Sequence, residues 1–238
     1  MEDARTPMHV KRDDDMTNGN KKVVAKNLRL SARFGNVVFP IDMTEFAKTL
    51  MNSGYTLATQ IPPPDPVSIT RLAYAGPIAR KGSLFVDANS EKQFIGVSDA
   101  DLSNLIKGFE EVLRFVTDKD KVGGPLVPWF LEFQGHYEYV SGKSPLKMLK
   151  ELSMGVKFLS SWNATLKKET SFIGFKVAPA SQGPDSSEFF EVVVEPSPGR
   201  SDSSFEVIVI MRSANSKAVR DFAKASEKTI HELMSSFH

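Results

Sequence analysis

An order of elements that occurs twice constrains the fold of this chain more than any other feature. A long strand, a short capped helix, a run of strands and a long amphipathic helix are legible over residues 27–116 and again over 126–237. A half that cannot cover its own sheet is completed by a twin. The pattern therefore predicts an α+β protein of two tandem strand-helix-strands-helix repeats, sharing a largely antiparallel sheet covered on one face by helices. The expected organisation is a flexible tail over 1–26, a first repeat over 27–124 and a second over 125–238. The tail reading rests on Asp13-Asp14-Asp15, Asn18-Gly19-Asn20 and Lys21-Lys22, which are polar and without apolar periodicity.

Leu28, Leu30, Ala32 and Phe34 alternate with Arg29, Ser31, Arg33 and Gly35, the period of a half-buried strand ending before Pro40. Asp42 stands three residues before Glu45, a capping-box spacing, and a helix follows as far as Gly54. Extended segments are expected at 55–61 and 67–76, followed by a hairpin of 83–88 and 93–98. Asp99 then caps a helix whose Leu102, Leu105, Ile106, Phe109, Val112, Leu113 and Val116 share one face. In the second half, Trp129, Leu131, Phe133, Gly135, Tyr137 and Tyr139 alternate with Phe130, Glu132, Gln134, His136 and Glu138. Ser144 and Pro145 then open a helix that Gly155 closes. Strands are expected at 155–162, 171–178, 188–195 and 204–212, before a closing helix from about Ser216.

This element order resembles the topology of the TATA-box-binding-protein fold over residues 27–237. The resemblance implies two α+β halves joined through one sheet and, as one reading, a nucleic-acid-associated protein. It lies in element order alone and assigns no functional residue. The architectural alternative is a helix-grip fold, one sheet wrapped round the C-terminal helix.

Composition narrows the function classes. Lys and Arg number 30 against 29 Asp and Glu, and each half balances its own charges. No basic domain supplies the phosphate neutralisation on which duplex binding depends, so the charge argues against a nucleic-acid partner. The absence of cysteine excludes thiol catalysis, thiolate metal sites and a disulfide framework. No apolar run approaches the roughly 20 residues of a membrane span, and the N-terminus has no apolar segment of the kind a secretory signal needs. A cytoplasmic location and no membrane partner are the expectations. No phosphate-cradling glycine motif, serine-nucleophile motif or metal-ligand spacing occurs, and no cofactor is expected.

If helices cover one face of the sheet, the other displays the polar member of each alternation. That face would carry Arg29 and Arg33, with Arg71 as a further candidate, in the first half. In the second half it would carry Glu132, Gln134, His136, Glu138, Glu191, Glu195 and Glu206. A surface basic at one end and acidic at the other suits a protein partner or a second copy of the chain. The reading is a non-catalytic binding or assembly protein working through this open face. Two other function classes stay open. One is a carrier holding a small apolar ligand between sheet and C-terminal helix, suggested by the 17 phenylalanines. The other is a metal-dependent enzyme centred on His136, with glutamates on neighbouring strands as ligands. Pro62-Pro63-Pro64 reads as a stiff connector.

Overall fold

A computed structural model describes residues 23–35, 40–58, 75–117 and 126–236. The chain begins, within these, with strand β1 (Val23–Arg33), helix α1 (Met43–Asn52) and a short β2 (Thr56–Leu57). Strands β3 (Ala75–Lys81), β4 (Leu84–Asn89) and β5 (Phe94–Asp99) follow, then helix α2 (Leu102–Thr117). The remainder is β6 (Phe130–Val140), α3 (Pro145–Ser153), α4 (Lys157–Leu166), β7 (Phe175–Val177), β8 (Phe189–Pro196), β9 (Ser204–Ser213) and α5 (Ser216–Ser235).

All nine described strands form one sheet in the order β2-β3-β4-β5-β1-β6-β9-β8-β7, and every neighbouring pair is antiparallel. At its centre β1 and β6 pair from Val23 opposite Tyr139 to Arg33 opposite Phe130, with an irregularity between Ala25 and Asn27. The extra residue of such a bulge is re-aimed, and here it is Lys26, which reaches Glu138 at 2.6 Å.

One face of the sheet is the core. Leu28, Leu30, Ala32, Val86, Val97, Phe133, Val207 and Val209 meet Phe46 and Leu50 of α1, Leu105, Phe109, Val112 and Val116 of α2, Met148 and Leu149 of α3, and Val219, Ala223, Ile230 and Met234 of α5. Helix α2 lies close because Gly108 has no side chain. A Cβ there would overlap the methyl groups of Leu84.

The start of α1 forms as its spacing predicts, with Asp42 Oδ1 accepting from the backbone amides of Thr44 and Glu45 at 2.9 and 3.2 Å. Glu45 bonds Lys48 at 2.6 Å. Several expectations need correction. Val23–Lys26 belong to β1, because β6 is long enough to pair Val23, Val24 and Ala25; the rest of the expected tail, residues 1–22, lies outside the described residues. Most of the expected strands at 55–61 and 67–76, the proline-rich connector and Arg71 also lie outside them. The cap of α2 is Asp101, whose Oδ1 accepts from Asn104 N at 2.7 Å. Asp99 is 4 % exposed and instead takes Ser83 Oγ and the Asp101 amide, both at 2.9 Å. The expected strand at 155–162 is helix α4 from Lys157 onward. It buries Leu159 and leaves Phe158, Trp162 and Leu166, spaced four apart, half exposed.

Candidate functional site

Residues directly opposite each other on paired strands point to the same side of a sheet. The register therefore places Arg29 and Arg33 of β1, Glu132, Gln134, His136 and Glu138 of β6, Glu206 of β9 and Glu191 and Glu195 of β8 together, on the face away from the core. Asp87 of β4, Phe94 of β5, Phe130 of β6, Phe189 of β8 and Arg212 of β9 share it.

Most of these charges meet a partner across the sheet, which leaves fewer of them unmatched than the expected division into a basic and an acidic half supposes. Arg29 grips Asp87 with two nitrogens, Nη2 to Oδ2 at 2.8 Å and Nε to Oδ1 at 3.3 Å. The pair lies over Gly96, where a Cβ would overlap the guanidinium. Arg212 Nε donates to Glu132 Oε2 at 2.9 Å, and Arg212 Nη1 donates to the Ser186 carbonyl at 3.1 Å. Lys176 reaches Glu191 at 2.5 Å. Such bidentate and multiply bonded pairs hold better than lone surface ion pairs.

Glu138 is the most enclosed of the acids on this face, 8 % exposed, and is held by Lys26, by Ser204 Oγ at 2.9 Å and by Arg200 at 3.2 Å. Burial alone would push its carboxyl up, but the bonds from Lys26 and Ser204 and the charges of Lys26 and Arg200 outweigh it and hold the group below its ordinary value. His136 is engaged at both nitrogens. Gln134 Nε2 stands 3.1 Å from Nε2, and Glu206 Oε1 stands 3.7 Å from Nδ1.

A hollow of about 530 Å³ opens on this face over β5, β1, β6 and β9, lined by Arg29, Ser31, Arg33, Lys92, Phe94, Phe130, Glu132 and Arg212. Its walls are rings capped by guanidinium groups. Arg29 stands 4.5 Å over Phe94, and Arg212 stands 4.6 Å over Phe130 and 5.6 Å over Phe189. Arg33 sits 5.8 Å from the centre of Phe130 and 5.9 Å from that of Trp129, which leans on Phe130 at 5.1 Å. The burial of Phe130 and Phe189, at 3 % and 6 % exposure on a face without core, is explained by this covering of arginine. Of the four cations lining the hollow, Asp87 and Glu132 neutralise Arg29 and Arg212. Arg33 and Lys92 have no carboxylate partner among the described residues.

Chemically, the hollow can hold an anion against aromatic surface. The carboxylates proposed around His136 do not converge: Glu132, Glu138 and Glu191 each turn to a cation, and only Glu206 approaches the ring. Among the described residues no group of three or more His, Asp or Glu side chains is placed to hold a metal ion, and no described helix is long and apolar enough to cross a membrane. Alternation within each strand grouped Arg29 with Arg33, and Phe130 with Glu132, but did not single out Arg212, Lys92, Asp87 and Phe94. Parity with Glu206 was a sufficient signal for Arg212. Asp87 and Phe94 needed the pairing of β4 and β5 to be known.

Comparison with known proteins adds no relative. The chain matches no family model, and a search among curated proteins finds none similar to it.

Proposed function

We propose that this chain is a non-catalytic binding module that takes a protein partner on the open face of its sheet. The observation that carries this reading is the hollow at one end of the central strands on that face, where Arg33 and Lys92 have no carboxylate partner among the described residues. Elsewhere on the face, strand neighbours mostly satisfy one another. A cation pair beside the half-exposed ring of Trp129 has the composition of an interface centre, where aromatics and arginine are enriched. The carrier reading draws less support, since Phe133, Tyr137, Val219, Ala223 and Ile230 fill the space between sheet and α5.

The scaffold of this reading is a tandem duplication. Strand order supports it: β1 and β6 lie side by side, each flanked by the last strand of its own half, and each half closes with a long helix. The halves differ where α3 and α4 replace a single helix and three described strands replace four. This mirrored order is also the basis of the resemblance to the TATA-box-binding-protein topology. A nucleic-acid role draws little from it, because Glu195 and Glu206 stand opposite each other on the outer part of the same face.

A second copy of the chain is the other candidate occupant. It is favoured by one contact, Glu195 directly opposite Glu206, which leaves an acidic pair at the far side of the face from the basic hollow. Like charges so placed are unfavourable alone and would be relieved by a cation of another molecule. Sedimentation velocity and affinity capture with the Arg33→Glu, Lys92→Glu double variant test the proposal. The expected result is loss of the associated species with an unchanged far-ultraviolet circular dichroism spectrum. Association that survives the reversal overturns it.

A further inference from the structure

We infer that α4 lies on an anionic lipid surface, with Phe158, Trp162 and Leu166 entering the headgroup boundary and the lysines at either end of the helix meeting the lipid charges. This concerns a different part of the molecule from the sheet face and does not depend on the partner proposed there.

The first step concerns the orientation of α4. Of its ten residues only Leu159 is buried. Asn163, one turn further along the same side, stands where a second inward apolar residue would be expected. Its Oδ1 instead accepts from the backbone amide of Thr170 at 2.7 Å and from Thr170 Oγ1 at 2.6 Å. Leu159 and these bonds fix the rotation of the helix. Phe158, Trp162 and Leu166 form a neighbouring stripe that is 50, 57 and 57 % exposed. The Phe158 ring meets that of Trp162 edge-on at 5.6 Å and stands 6.2 Å from Phe172, which packs against the core. The stripe is therefore held in place while it faces outward.

The second step concerns charge. From Lys143 to Glu169 the chain carries six lysines, two glutamates and no other charged residue. Glu169, one of the two acids, is bonded to Lys150 at 2.9 Å. Lys157 before the stripe, and Lys167 and Lys168 after it, are exposed and have no carboxylate partner among the described residues. Helix α4 itself contains no acid, and its remaining exposed side chains are serine, alanine and threonine. Aromatic and aliphatic residues on one side, with lysines around them, make up a helix that lies in the plane of a membrane, where apolar burial and attraction to anionic lipid add. The balance of the second half as a whole conceals this local excess, which is why charge summed over that half predicts no membrane partner. No described helix can cross a bilayer, but lying on one requires only the stripe.

The third step separates a bilayer from an acidic protein. Three large side chains projecting from a helix would need a protein partner with a pocket for each at the right spacing, whereas lipid yields around them. Tryptophan suits the membrane boundary, because its rings enter the apolar layer while its N–H stays among the headgroups. The long stems of Lys157 and Lys168 let their ammonium groups reach the same level.

The chain has two tryptophans, so Trp129→Phe leaves Trp162 as the reporter of its own surroundings. That variant is titrated with phosphatidylcholine vesicles, with vesicles that also contain about 30 % phosphatidylserine to supply a negative surface, and with poly-glutamate, following Trp162 emission and its quenching by acrylamide. The expected result is a blue shift and protection from quenching with the phosphatidylserine vesicles alone, reversed by raised salt. In vesicle sedimentation of the chain with both tryptophans, Lys157→Ala and Lys168→Ala should each weaken partition about fivefold, the scale of one basic side chain at an anionic surface. Trp162→Ser and Leu166→Ser should each weaken it roughly tenfold, with an unchanged far-ultraviolet circular dichroism spectrum. Lys217→Ala, on α5, should leave partition unchanged. Equal binding to the two kinds of vesicle overturns the inference, and so does binding to neither. A response to poly-glutamate as strong as that to the anionic vesicles overturns it in favour of an acidic protein. Trp162 emission already blue and protected without vesicles overturns it as well: at every protein concentration this places another segment of the chain on the stripe, and at high concentration alone it places a second copy there.

Discussion

Replacing Gly135 with alanine should destabilise the protein, although residue preference alone favours the change. Alanine restricts the unfolded chain more than glycine and improves a strand by about 0.5–1 kcal/mol. Gly135, however, lies in β6 on the core face, two residues before Tyr137, whose ring passes over it. A methyl at Gly135 would fall 2.9 Å from Cζ and Oη of Tyr137 and closer still to Cε2. The ring has little room to yield, since Tyr137 is 1 % exposed and its hydroxyl stands 2.6 Å from Ser226 Oγ. Ser226 Oγ already donates to the Ala223 carbonyl at 2.7 Å, so Tyr137 is the donor of the pair. Forcing a methyl into a filled core costs about 1–3 kcal/mol, and breaking the Tyr137–Ser226 bond adds about 1 kcal/mol. After subtraction of the backbone gain, the net loss is about 2 kcal/mol, or a fall in Tm of roughly 4–8 °C for a chain of this size. Urea unfolding followed by circular dichroism measures it. The same substitution in a Tyr137→Leu background should be neutral or stabilising, because the obstructing ring is gone. An alanine variant as stable as the parent, or an equal loss in both backgrounds, would refute the reasoning.

Tyr139 presents the opposite case: its hydroxyl is buried with no hydrogen-bond partner among the described residues. Tyr139→Phe should therefore leave stability unchanged or raise it by about 1 kcal/mol, as thermal unfolding would show. The depressed carboxyl of Glu138 makes a contribution that is full above the ordinary glutamate pKa near 4.3 and is lost as pH falls through the lower folded value. Glu138→Gln should accordingly be less stable than the parent near neutral pH, with the difference shrinking in acid; a difference independent of pH between neutrality and pH 2 would contradict it. Burial, its largest influence, together with the charge of Glu227, pushes the Tyr137 phenol up to about 12. Spectrophotometric titration should find its ionisation later than that of an exposed tyrosine.

Period-2 alternation made β1, β6 and β9 readable, because each strand buries one side in a core and leaves the other for its own side chains. Asp42 and Pro145 marked the starts of α1 and α3 through local hydrogen bonding and the fixed geometry of proline, which need no distant partner. Residues 157–166 were harder. Trp162 and Phe158 favour a strand by preference, yet these ten residues form α4 and bury only Leu159. The start of β1 was missed because Val23 and Val24 sit beside Lys21, Lys22 and Lys26 in a polar stretch, and their strand character depends on Tyr139 and Glu138 of β6, more than a hundred positions away.

The sequence by itself determined which side chains share a face, since alternation within a strand is a local property of extended backbone. It thereby grouped Arg29 with Arg33, and Glu132 with His136. Tertiary structure alone decided which of those charges are spent on one another. Asp87 comes to Arg29 across β5, and Arg212 comes to Glu132 across the β6–β9 pair, through registers that no single strand encodes. Electrostatic attraction falls with distance and depends on what lies between, so a list of charges in sequence cannot give their pairing. That pairing turns a face read as basic at one end and acidic at the other into a sheet whose charges are mostly matched, with Arg33 and Lys92 left over among the described residues at one end and Glu195 opposite Glu206 at the other.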